Sequence, residues 1–176
     1  MTKKPQTIYM SFIPLLLIIG IILGAGYMLL QGEIKLPKFN KGPQIRRLEG
    51  FPTVIYTSTP IEKQRLVIDN ETDLYNFLNM VDETGLLTIR ETIDFEKEVV
   101  LAVASETEKE VGHEIKIRKV YEDKNDPTLL VSIREMFPGE TCELEIDEHV
   151  AVDVVTISKT DYGIEFERIK QYEECD

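Results

Sequence analysis

The chain has 176 residues, 20 Lys and Arg against 32 Asp and Glu, a formal net charge of −12, two cysteines and two histidines. Residues 31–176 hold 18 of the bases and all 32 acids, a balance of −14, and so acidic a stretch repels phosphate backbones and argues against a nucleic-acid partner. Two cysteines outside any CxxC pair exclude a disulfide-dense scaffold, and the length suits one folded unit with an appendage.

After a short basic tail, residues 1–7, the stretch Ile8–Leu30 gives 23 consecutive residues without a charge. At 1.5 Å per residue a helix of that length reaches roughly 34 Å, enough for a hydrocarbon core of about 30 Å. Pro14 kinks this helix or marks its start, and Tyr9 and Tyr27 stand near its ends, where amphipathic rings suit the head-group layer. A cleaved signal peptide is the competing reading, with Lys3 and Lys4 as its leader and Gly24-Ala25-Gly26 as its cleavage site. The run is longer than a usual signal core, and Tyr27-Met28-Leu29-Leu30 continues it past the small residues, so a retained single-pass anchor is the expectation. The bilayer is then a partner, and Gly20 and Gly24, a lone GxxxG, offer a weak homodimer contact. Orientation stays open on charge alone. Lys35, Lys38, Lys41, Arg46 and Arg47 favour a cytoplasmic domain, whereas the basic N-terminus fits a signal-anchor.

Residues 31–50 carry Pro37, Pro43, Gly32, Gly42 and Gly50 without a period, and they read as a juxtamembrane linker. A folded domain is expected over 51–169. Phe51–Thr57 and Gln64–Ile68 read as strands. Asn70 caps a helix of about 11 residues whose stripe is Leu74, Phe77, Leu78 and Val81, stopping near Gly85. That capping role explains the Asn70-Glu71-Thr72 sequon better than glycosylation does. Glu98–Ser105 is a nearly continuous apolar run, as in a central strand. Glu106–Glu110 reads as a solvated hairpin tip, Val111–Tyr121 as a strand, and Asn125-Asp126-Pro127 as a turn. Leu129–Arg134 and His149–Ile157 are further strands, with Phe137-Pro138-Gly139 as a turn between them. Lys159–Gly163 closes a hairpin back to Ile164–Ile169, and 170–176 is a polar, frayed tail. The fold class is therefore α+β, a mostly antiparallel β domain with one amphipathic helix, preceded by a transmembrane helix.

Reactive groups are sparse. His113 and His149 are the only imidazoles, and no HExxH, paired CxxC, GxSxG, Walker loop or GxGxxG accompanies them, so no metal site, cofactor or catalytic residue is assigned. Each histidine is expected at a sheet surface or as a satisfied polar core residue. Cys142 and Cys175 are a disulfide candidate in an oxidising compartment, with a free terminal cysteine as the alternative.

The order of these elements, with Asp94-Phe95-Glu96-Lys97-Glu98 running into Val99–Val103, then Gly112-His113-Glu114-Ile115, Leu130-Val131-Ser132-Ile133, Pro138-Gly139 and His149–Ile157, resembles the C-terminal domain of the protease complex subunit PrcB family over roughly residues 60–160. The turn Glu110-Val111-Gly112-His113 departs from the family's pattern in keeping one glycine and placing histidine where tyrosine is usual. The resemblance implies an exported or membrane-attached accessory subunit that binds a partner protein, a protease among the candidates. It also places partner contacts at Glu110, Gly112, His113 and His149. The expectation is an extracytoplasmic, non-catalytic binding module on the cell membrane. Two alternatives stay open: a tethered hydrolase using Cys142 with His113 or His149, and a cytoplasm-facing interaction domain.

Overall fold

The computed structural model describes residues 12–30, 42–123 and 126–175, leaving aside the side chains of 13 and 24–30. The chain divides into two units, residues 1–39 and 40–176. In the first, helix α1 spans Ile13–Leu30. Among the described residues no helix is long and apolar enough to cross a membrane. The expected anchor, Ile8–Leu30, falls partly outside them at residues 8–11, as do the tail 1–7, the side-chain surroundings of Gly24, linker residues 31–41 and Asn125 of the expected turn.

The second unit holds, among the described residues, strands β1 (Arg46–Arg47), β2 (Val54–Tyr56) and β3 (Gln64–Ile68), helix α2 (Glu71–Val81), and strands β4 (Glu98–Ala104), β5 (Glu108–Glu110), β6 (Glu114–Glu122), β7 (Thr128–Pro138), β8 (Ile146–Ser158) and β9 (Gly163–Glu173). It is a β-rich domain with mostly antiparallel sheets. The larger sheet runs β1-β8-β4-β3, with β2 and β5 also paired to β8, and the smaller runs β6-β7-β9.

The uninterrupted apolar run of β4 has a simple cause: the strand is buried on both faces. Val100, Ala102 and Ala104 join a core with Leu74, Phe77 and Val81 of α2, while Val99, Leu101 and Val103 join a second core with Ile115, Ile117, Leu129, Val131 and Ile133 of the small sheet. The β8 strand divides in the same way, with Val150, Val152 and Val154 toward the helix and Ala151, Val155 and Ile157 toward the small sheet. The large sheet is thus the middle layer. Helix α2 begins where Asn70 accepts a hydrogen bond from the Asp73 backbone N–H, and its one apolar stripe faces β4 and β8.

Five expectations are corrected. Residues 43–50 are not free linker: β1 pairs with Thr156 and Val155 of β8, and Leu48 is buried. Arg46 binds Glu98 and Glu91, and Arg47 reaches Asp153 at 2.6 Å. Lys159–Gly163 does not close a hairpin, because β8 is already occupied along both edges, by β4 and β5 on one side and β1 and β2 on the other. The chain therefore crosses to the small sheet, where β9 lies parallel to β7 over Thr128–Pro138. Phe137 and Pro138 are the end of β7 rather than a turn, and Glu108–Glu110 is a short strand on β8 rather than a hairpin tip, with Lys109 and Glu110 solvated as expected. The tail is not frayed through 173, since β9 continues to Glu173 and Cys175 is bonded to Cys142.

Candidate functional site

Alternation along β7 puts Leu129, Val131 and Ile133 into the core between the sheets, and the same parity carries Glu135 and Phe137 inward at the strand's end. Glu135 is 1% exposed. Three cations converge on it: Lys63 at 2.8 Å, Arg65 of β3 and Arg168 of β9. Burial alone would push its carboxyl up, but the bonds to Lys63 and Arg168 outweigh this and hold it below the ordinary value. The same desolvation lowers the Arg65 guanidinium against the pull of Glu135. This knot ties β3 of the middle layer to both β7 and β9.

The two histidines lie near it. His149, fully buried on β8, donates from Nδ1 to the Asp147 carbonyl at 3.1 Å, and its Nε2 has no hydrogen-bond partner. His113 follows the turn between β5 and β6. There Gly112 adopts φ +126°, a conformation open to glycine and strained for any L side chain. The His113 ring is 4% exposed, stacks on Phe137 with centroids 4.3 Å apart, and has no hydrogen-bond partner on either nitrogen. Its Nδ1 stands 3.6 Å from a carboxylate oxygen of Glu108. Burial lowers the imidazole to about 4, so the ring is neutral at ordinary pH. Burial also raises the Glu108 carboxyl, with Glu106 adding repulsion. Both histidines are thus core residues, but neither is satisfied.

His113 forms part of the wall of a cleft of about 900 Å³ at this end of the sandwich. Glu108 and Glu110 of β5 line one side, Phe137 and Pro138 of β7 another, and Tyr172 of β9 a third. The remaining wall is the loop after β7, carrying Glu140, Cys142 and Leu144. That loop is clipped by the Cys142–Cys175 disulfide to the chain just beyond β9, with Cα atoms 5.0 Å apart. Thr141 Oγ1 donates to Glu174, and the Cys175 backbone N–H donates to Thr141 Oγ1, fastening the same corner. Cys142 in this form carries no thiolate.

Of the residues singled out in the sequence, Glu110, His113 and Cys142 line the cleft. Gly112 shapes the turn between the first two through its positive φ, and an added Cβ would meet Pro138 at 3.4 Å, an ordinary contact distance. His149 pairs in register with Glu108 behind it. Among the described residues no group of three or more His, Cys, Asp and Glu is placed to hold a metal ion. The sequence reading missed Glu135, its three cations and the aromatic wall of Phe137 and Tyr172. Acids are so abundant that a single one stands out little, and the usable signal was positional: Glu135 falls where the inward alternation of β7 calls for an apolar residue.

A second hollow of about 390 Å³ lies between α2 and the 85–95 loop, lined by Leu74, Leu78, Ile89 and Phe95 among others. In comparisons with known proteins, no family model, no curated protein and no solved structure matches the chain.

Proposed function

We propose that the chain is a membrane-anchored, non-catalytic binding domain that holds a partner protein outside the cytoplasm, as an accessory subunit of a surface complex. The observation that carries this reading is the cleft at the sandwich end. It is built from four strands and a clipped loop, edged by the exposed Ile146 and Tyr172, and it combines carboxylates with aromatic and aliphatic walls. Such mixed surfaces with large exposed rings favour recognition of another molecule. The thiol a Cys–His nucleophile would need is tied up in the disulfide.

Two observations support the outward orientation. A disulfide persists in an oxidising compartment and is reduced in the cytosol. Arg46 and Arg47, which tilted the charge count toward a cytoplasmic domain, are paired on the folded domain with Glu91, Glu98 and Asp153. That leaves Lys35, Lys38 and Lys41 against Lys3, Lys4 and the amino terminus. The motif likeness to the PrcB family makes a protease the first partner to test.

The test is co-purification of the full chain from detergent extracts of its own cells. One partner should accompany the wild type and be lost from a Glu110→Lys/Tyr172→Ala variant that retains the wild-type circular dichroism. Equal recovery with both chains would overturn the reading.

A further inference from the structure

The wall of the cleft contains a buried polar group with nothing to bind. A ring nitrogen in the protein interior forfeits the hydrogen bond it makes in water, and a ligand that supplies one recovers it. His113 is in that condition on both nitrogens. Its neutral ring presents one acceptor nitrogen and adds no positive charge to the cleft.

The other lining groups define the ligand's chemistry. Glu108, Glu110, Glu140 and Glu174 are carboxylates, and among the described residues no Lys or Arg lines the cleft. Of the nearby cations, Lys63 and Arg168 bind Glu135, and Lys170 lies over the ring of the wall residue Phe137, 5.5 Å from its centroid. The site is therefore set for a cation. The absence, among the described residues, of three grouped metal donors favours an organic cation over a metal ion. A lysine ammonium is a compact, strongly hydrated point charge. A guanidinium is planar, carries five donors in a fixed fork, and stacks on aromatic faces. The latter can serve a carboxylate and a neighbouring imidazole acceptor from one rigid plane that also stacks flat along aromatic side chains, a geometry a point-charge ammonium lacks.

Resting on the reading of the chain as a binding module, we propose that the cleft seats an arginine side chain of the partner protein, its guanidinium donating to the Glu108 carboxylate and to a His113 ring nitrogen, with its stem against Tyr172 and Ile146. Glu110 adds charge at the mouth, and the Cys142–Cys175 bridge keeps the far wall in place before the partner arrives.

The experiment uses the full chain in detergent micelles, with the histidine ring resonances followed by NMR. The probes are a blocked Gly-Arg-Gly peptide, the same peptide with citrulline, which keeps the shape and loses the charge, and putrescine, which stands for a free amine. The arginine peptide should move the His113 signals and leave those of His149 nearly still, while the citrulline peptide binds at least about tenfold more weakly. Glu108→Gln should weaken the arginine peptide by about tenfold. Tyr172→Ala, at a rim position 68% exposed and safe for folding, should weaken it severalfold. Equal binding of the citrulline peptide, an equal response to putrescine, or wild-type affinity in both variants would overturn the inference. His113 signals unmoved by the arginine peptide, in a chain that still co-purifies with its partner through the cleft, would overturn it and leave the binding reading standing.

Discussion

Glu135 is the residue on which most of this end of the molecule depends. A carboxylate this deeply buried persists only because Lys63, Arg65 and Arg168 surround it. Glu135→Gln would leave Arg65 largely buried without its counter-charge, and the expected loss is about 3–5 kcal/mol in chemical denaturation. Lys63→Ala, which removes a cation on the more exposed side of the knot, should cost no more than about 1 kcal/mol. Equal losses would show that the knot is not the buried pair described. His113 gives the domain a pH dependence of definite sign. Its folded value of about 4 lies below the ordinary 6.5, so the unfolded chain takes up a proton that the folded chain refuses. Its contribution is complete above pH 6.5 and is lost as pH falls from there toward about 4. The charged and titratable groups acting on it are Glu108, Glu135, His149, Lys63 and Arg168. The raised Glu108 opposes this loss, because it gains a proton more readily when folded, and the depressed Glu135 adds to it only once carboxylates begin to titrate. Thermal midpoints between pH 7 and about 5 should therefore fall in the wild type and fall less in His113→Phe. Parallel slopes would contradict this.

At the scale of elements, legibility followed how local the determinant was. The Asn70 cap and the Leu74, Phe77, Val81 stripe specify α2 within a dozen residues, and the helix spans Glu71–Val81, about the expected eleven residues but ending at Val81 rather than near Gly85. The Gln64–Ile68 strand is bounded as its sequence suggests, and the apolar run of β4 announces burial on two faces. What failed was pairing. Nothing between Lys159 and Gly163 tells a hairpin from a crossover, since the answer lies in how many strands already occupy β8. Likewise Arg46-Arg47 looks like a membrane flank until Glu98 and Asp153, more than 50 residues away, are brought beside it. Of the cleft, the turn Glu110–His113 was legible and the β7 and β9 walls were not, because a parallel pairing of distant strands leaves no local trace. Among the described residues the parallel β9 has one neighbouring strand, so the bridge across 33 residues should matter to it. A Cys142→Ser/Cys175→Ser chain should lose about 3–4 kcal/mol on the chain-entropy account, with hydrogen exchange rising first in β9 beyond Arg168. Unchanged exchange there would show that β9 holds its place without the clip.

For the whole molecule, the proposed function joins two features, an apolar N-terminal run that would fix position and an acidic β domain whose sheet end would make contact. The account depends on the cleft being occupied by another protein in the cell. The direct measurement is site-specific photocross-linking in intact cells expressing the full chain. A photoreactive residue replaces Ile146, exposed at 85% on the cleft rim, and a control replaces Tyr75 on α2, exposed at 65%. The account predicts one discrete cross-linked partner from position 146, abolished by Glu110→Lys and absent from position 75. Cross-links of equal pattern from both positions, or none from position 146, would contradict it.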